Sequence, residues 1–211
     1  MTSKSPIFEE IYKNYLAQLE GIDFSLRAER LGVALENGKA LIPYFGQTYQ
    51  VSSEGVVGPS GQEPTHAVSV VLCRYLLLCP ENDPVGENWV SYKDFKDAAP
   101  FVGGFINNTE KAIVRHFSGR LPQLKEACQQ MGGRPSDLEV SYQIAVRFEA
   151  LPQVPMLLFF NDEDEEFPAQ GTLLFQKKAP QYLDMECLAI LGWFLADALT
   201  QAAGSSHTTI M

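Results

Sequence analysis

Asp162, Asp164 and Glu166, three carboxylates at every second position, are the densest chemistry-bearing pattern in this chain. In an extended segment alternate residues project to one side, so these three would share a face and Glu163 and Glu165 the other. Three hard oxygen ligands on one side suit Mg²⁺, Ca²⁺ or Mn²⁺. The spacing lacks the glycine and the distant glutamate of a calcium-binding loop. A solvated hairpin turn, whose charges keep two apolar strands soluble, accounts for the same residues without a ligand. Phe167-Pro168 directly after the charges predicts a loop that folds back on the body.

A second candidate is aromatic. Trp89, Tyr92 and Phe95 precede Phe101-Val-Gly-Gly-Phe105. Rings can stack on a planar cofactor, and paired glycines let backbone approach it closely, so Trp89, Tyr92, Gly103 and Gly104 form a cofactor-binding set. Their types do not identify the cofactor, and they serve equally well as core under a long loop. A third candidate is the loop Gly55–Pro64 ahead of a helix capped by Thr65, where backbone N–H groups and the positive helix end could meet an anion. It carries neither a Walker sequence nor a dinucleotide fingerprint, and turn chemistry explains its glycines.

Classical catalysis finds little footing. The three histidines are His66, in a first helical turn, His116, at a helix end, and His207, in the tail. No Gly-x-Ser-x-Gly or His-Glu-x-x-His is present. Cys73, Cys79, Cys128 and Cys187 are scattered, three within predicted helices, and read as buried free thiols rather than an iron–sulfur or zinc set.

These residues depend on a recognisable frame. Val140, Tyr142, Ile144, Val146 and Phe148 alternate with polar residues from Glu139 to Glu149, a strand with one dry face. Val154–Phe160 is continuously apolar, as in a strand covered on both faces. The acidic turn follows, then Leu173-Leu-Phe175 as a third strand, then a nearly all-apolar helix from Asp184, its N-cap, to Gln201. Upstream, Ser5-Pro6 opens an amphipathic helix ending at Gly21. From Asp23 to Val57 the pattern is β-like, with a hairpin at Asn37-Gly38 and Pro43 at an edge or bulge of the return strand. Helices are expected from Thr65 to Cys79, from Asn108 or Thr109 to Phe117, and over Leu121–Met131. The fold class is therefore α+β, a mostly antiparallel sheet with helices packed on it and a smaller β-meander near the N-terminus. Residues 1–203 read as a single domain, with lobes 1–131 and 136–203 as the alternative, and 204–211 as a disordered tail.

Bulk composition narrows the partners. Hydrophobic residues make up 45% of the 211, with 13 Phe and 8 Tyr, so a sizeable core can form. The net charge of −10 and the pI of about 4.8 disfavour nucleic acid and anionic membrane, which need Lys and Arg. The start MTSKSPIFEE is not a secretory signal, and runs such as Val68–Leu72 and Leu188–Leu191 are short of a membrane span, so the expected location is cytoplasmic.

The segments Ala150–Ala169, Leu173-Leu-Phe175 and Ala179–Gly192 resemble the signature of the domain-of-unknown-function 3786 family. Val71-Leu-Cys-Arg-Tyr-Leu-Leu77 and Trp89-Val-Ser-Tyr-Lys-Asp-Phe95 look like its other two blocks, so the resemblance runs roughly from Tyr15 to Leu199. It implies an uncharacterised family of anaerobic bacteria and archaea. Some longer members carry a cysteine-rich iron–sulfur segment of the kind found in corrinoid proteins of one-carbon metabolism. This chain lacks that segment, and Arg74 stands where the family's helix block often has a histidine.

Together these expectations favour a non-catalytic cytoplasmic binding or accessory domain, linked through the resemblance to anaerobic iron–sulfur or corrinoid metabolism. Its partner would be a protein or a small-molecule cofactor. Two alternatives stand beside it. One is a metal-dependent enzyme with Asp162, Asp164 and Glu166 as ligands and His66 or His116 as acid–base. The other is a protein-interaction module whose acidic turn meets a basic partner.

Overall fold

A computed structural model of the chain describes residues 6–205, so the Ser5 cap and His207 lie outside the described residues. Helix α1 (Pro6–Leu19) is followed by α2 (Phe24–Leu31). The second is a correction, since this stretch reads as β-like. Its ends explain the outcome. The Asp23 carboxylate accepts from the Ser25 and Leu26 N–H groups, and Gly32 closes the helix at φ 66°. Ala28 and Leu31 face inward, and Arg27 donates to the Cys79 carbonyl.

Four antiparallel strands follow in spatial order: β1 (Ala34–Glu36), β2 (Lys39–Tyr44), β3 (Gln47–Ser52) and β4 (Gly55–Val57). The expected hairpin turns at Asn37-Gly38, with φ of 50° and 76°, the left-handed pair that a two-residue turn demands. Pro43 lies past the last β1 partner of β2, Leu41, where its missing N–H breaks no β1–β2 ladder. Helix α3 (His66–Leu77) starts at the expected cap, with Thr65 Oγ1 accepting from the Val68 N–H at 3.5 Å.

The second sheet has the order β5 (Trp89–Ser91), β9 (Gln170–Gln176), β8 (Val154–Asn161), β7 (Ile144–Leu151) and β6 (Arg134–Pro135), all antiparallel. Strand β8 is buried along nearly its whole length, as its unbroken apolar run requires. Strand β7 starts five residues later than the alternation from Glu139 suggests. Val140 and Tyr142 are exposed, and the Tyr142 ring stacks on Phe159 at 4.4 Å.

Between β5 and β7 the chain forms α4 (Val102–Phe105), a π-helical turn (Ile106–Glu110), α5 (Lys111–Phe117) and α6 (Leu121–Gln130). The helical path thus begins well before Asn108, and Gly103 and Gly104 lie inside a helix rather than in a loop.

Helix α7 (Met185–Ser205) packs against α3, α4, the π-helical turn, α5 and α6, and its Phe194 ring meets Tyr44 and Phe45 of the first sheet. Asp184 caps it by accepting from the Cys187 N–H at 2.9 Å. The helix continues to Ser205, two residues into the expected 204–211 tail, and Ala203 is buried. By length and composition alone, Met185–Gly204 could cross a membrane, with mean hydropathy 1.4. The charges Glu186 and Asp197 hide that length from a search for unbroken apolar runs. Half of the stretch is buried in the fold, as befits a core helix. The two sheets share one continuous apolar core, and the Phe45 N–H donates to the Ala150 carbonyl at 3.0 Å to join them.

Candidate functional site

The acidic loop folds back, and one oxygen of each of Asp162 and Asp164 accepts from backbone N–H groups. Asp162 Oδ1 accepts from the Gly119 N–H at 2.7 Å and from the Glu163 N–H at 2.9 Å. Asp164 Oδ1 accepts from Glu166 and Phe167, both at 2.8 Å. Those two donors hold the Asp164 carboxyl below its usual range. Among the described residues no three His, Cys, Asp or Glu side chains converge as a metal site. Gly119 belongs to the turn after α5, so the loop lies near the His116 end of that helix, whereas His66 stands at the start of α3 against Tyr12. Burial and the Arg120 guanidinium lower the His116 pKa.

The aromatic set is split by the sheet. Tyr92 is 1% exposed, stacks on Phe105 at 4.2 Å and donates from its hydroxyl to the Met185 carbonyl at 2.7 Å. Trp89 pairs with Gln176, out of phase with the core residue Phe175, and meets the Arg147 guanidinium at 5.9 Å. Gly104 approaches a ring, but the ring is Trp193, 3.7 Å from where its Cβ would sit. Gly103 faces open space. All four cysteines are buried free thiols, and burial pushes Cys73 and Cys128 up to about 12, so they stay protonated.

The largest concavity described lies elsewhere. It is a cleft of about 640 Å³ between α7, strand β3 and the loop that leads into α3. Tyr49, Val68, Ile190, Trp193 and Phe194 form its apolar wall, and Glu63, Thr65, Asp197 and Gln201 supply polar groups. A second hollow of about 570 Å³ adjoins it along α7, walled by Tyr44, Phe45, Gly46 and the end of α6. Phe194, Ala198 and Gln201 border both hollows, so they form one groove along the outer face of α7. Two polar atoms on groove-lining residues, Tyr44 Oη and Trp193 Nε1, are buried with no hydrogen-bond partner, a state that costs about 1–3 kcal/mol each. Burial raises the Tyr44 pKa, so its hydroxyl keeps its proton.

Residues 23–198 match the family described as Domain of unknown function (DUF3786), well over half of the chain. The chain belongs to this family. No curated protein and no solved structure matches it. Within DUF3786 the matched stretch runs from the cap of α2 to Ala198, and so includes every groove element except the last turns of α7. Helix α1 precedes it, and Tyr12 of that helix accepts from the Val56 N–H at 2.9 Å. Arg74, in the helix block, pairs with Asp184 at 2.8 Å and lies 5.6 Å from the centre of the Tyr15 ring.

Sequence reasoning missed Tyr49, Trp193, Phe194, Asp197 and Ala198 as site residues. One signal was available. A helix apolar on almost every side, with its most buried residues on one side, presents rings such as Trp193 and Phe194 at the core's edge, where they also line the cleft. The glycine loop proves relevant in another way, since its end, Glu63–Thr65, forms one wall of the cleft.

Proposed function

We propose that this DUF3786 chain is a non-catalytic cytoplasmic binding domain that holds a small amphipathic molecule in the α7 groove. One observation carries this reading: a cleft of about 640 Å³ with an aromatic and aliphatic wall and a few convergent polar groups. That size and chemistry match small-molecule sites in general, which span about 300–1,000 Å³. The two unpartnered polar atoms beside the groove support it, because a ligand could satisfy them after a small ring shift.

Thermal unfolding with a panel of neutral, anionic and cationic amphiphiles tests the proposal. A ligand at 100 times its Kd adds about 2.7 kcal/mol and should raise Tm by several degrees. Ala198→Leu, which fills the point where the two hollows meet, should abolish the rise without unfolding the helix. A rise that survives this substitution would place the ligand elsewhere.

The link to anaerobic iron–sulfur or corrinoid metabolism rests on the family resemblance. An accessory role is its simplest form, since the four cysteines of this chain lie buried as separate thiols. A partner-binding reading has one observation in its favour: Phe167 is 61% exposed within the acidic loop. It predicts salt-sensitive association with a basic protein that Phe167→Ser weakens.

A further inference from the structure

We infer that the free edge of β9 takes up an extended peptide segment, with an acidic side chain near Gly171, as one more strand of the five-stranded sheet. The site lies apart from the α7 groove. Strand β9 pairs with β8 from Gln170 to Phe175, whereas β5 reaches it only at Leu174, Phe175 and Gln176. After Ser91, the last residue of β5, the chain enters a short helical turn (Tyr92–Asp94). The first half of β9 therefore has no strand beside it on that edge.

Backbone direction is the first argument. In an antiparallel strand, alternate residues turn their N–H and C=O groups to opposite edges. Phe175 stands opposite Val90 of β5, and the Leu173 N–H, on the same edge, donates to Glu110 Oε1 at 3.1 Å. Gly171 is next in that series, so its N–H and C=O also point away from β8. Among the described residues no hydrogen bond is found on that edge of Gly171. Glu110 thus stands in for a neighbouring strand's carbonyl at one position and leaves the next one open.

Space and chemistry are the second argument. A hollow of about 490 Å³ opens on this edge between β9, the π-helical turn and α5. Ala169–Thr172 border it and supply about 13 Å of edge, the length of four extended residues. Ile106 and Val114, both half-buried, form its apolar wall. Lys111 and Arg115, both exposed, line it one turn apart on α5 and can pair with an acidic side chain of the incoming strand. In strand addition the ladder supplies affinity and the flanking side chains supply specificity. The π-helical turn that carries Ile106 and Glu110 is of a kind frequent at functional sites.

Nearby carboxylates are the opposing feature. Glu110 lines the hollow, but it is engaged by the Leu173 N–H and acted on by Lys93. Asp162 and Asp164 of the acidic loop line a separate hollow with Gln143 and Asn161, and none of residues 162–166 borders this one. The charge pairing is local and exposed, so the ladder carries most of the affinity.

The isotope-labelled full chain would be titrated with the peptide acetyl-Thr-Val-Glu-Val-Thr-amide and its amide signals followed by NMR. In the free protein the Gly171 amide should exchange with solvent at least about tenfold faster than that of Leu173. The peptide should shift the Gly171 signal saturably and slow its exchange by about tenfold or more. The same peptide methylated at every backbone nitrogen cannot form the ladder and should leave Gly171 unmoved. A version with lysine in place of glutamate should bind about two- to fivefold more weakly, and Lys111→Ala with Arg115→Ala should remove that difference. Slow exchange of Gly171 in the free protein would mean a closed edge and overturn the inference. No saturable shift at Gly171, or an equal shift with the methylated peptide, would overturn it too. Equal or tighter binding of the lysine version would overturn the acidic partner.

Discussion

Phe45 holds a left-handed backbone, φ 46°, while its ring stacks on Phe194 at 4.9 Å. Phe45-Gly46 links β2 to β3 by the same two-residue turn that Asn37-Gly38 provides one hairpin earlier. Asparagine tolerates that conformation, whereas a bulky side chain is strained by about 1–3 kcal/mol. The packing of Phe45 between Tyr44 and Phe194, and its N–H bond to Ala150, hold it there. Phe45→Asn should relieve the backbone but lose the ring, for a net loss of about 1–3 kcal/mol in urea unfolding. Combined with Phe194→Ala, it should show a coupling of about 0.5–1.5 kcal/mol in a double-mutant cycle.

Helix α7 meets the π-helical turn at Gly192. A Cβ there would stand 2.5 Å from Phe105 Cε2 and 2.9 Å from Thr109 Oγ1. Alanine normally improves a helix by about 1 kcal/mol over glycine. Gly192→Ala should instead destabilise the protein by about 1–3 kcal/mol, because Phe105 is buried and stacked on Tyr92. Adding Phe105→Leu should recover part of that loss, and calorimetry of the three variants would show it.

Asp184 has two tasks, a helix cap and a partner for Arg74. Asparagine keeps the first and abandons the second. Asp184→Asn should cost about 0.5–1 kcal/mol, the worth of a partly exposed ion pair. Asp184→Ala should cost about 1–3 kcal/mol, since the cap is lost as well. Equal losses in chemical denaturation would mean that the cap contributes nothing.

Glu110 receives the Leu173 N–H at 3.1 Å, and burial raises its pKa above the usual carboxylate value. A carboxyl whose folded pKa exceeds its unfolded pKa favours folding when protonated. Its contribution is fully present below the unfolded pKa and is lost as pH rises through the folded pKa. Glu110→Gln keeps an acceptor for Leu173 without the buried charge. The variant should melt above the wild type at pH 7, and the gap should close as the solution is acidified below the carboxylate range. A gap independent of pH would rule out this origin.

Much of the frame was legible because local chemistry and tertiary structure agree. The Asn37-Gly38 turn, the Thr65 and Asp184 caps and the buried run of β8 all appear where their residues predict. The α2 segment reads as β-like in sequence because Leu31, Val33 and Leu35 alternate ahead of the hairpin, which overshadows its Asp23 and Gly32 caps. The candidate site was far less legible. In sequence Asp162 and Asp164 show only their spacing; that one oxygen of each accepts from backbone N–H groups is visible only once the loop has folded. Tyr49 and Trp193 are more than a hundred residues apart, and no local pattern joins them until α7 docks.

The position of α7 also bears on how the chain can be made. Its residues complete the one apolar core that the two sheets share, and the Arg74–Asp184 pair spans 110 residues. On a ribosome, all nine strands described emerge before helix α7. For those seconds the side chains that α7 covers, such as Phe105 in α4 and Phe45 beside β2, lack their partner and are open to mispairing or to capture by a chaperone. A nascent chain halted before Met185 should therefore remain protease-sensitive, and resistance should appear only once the whole of α7 has cleared the exit tunnel.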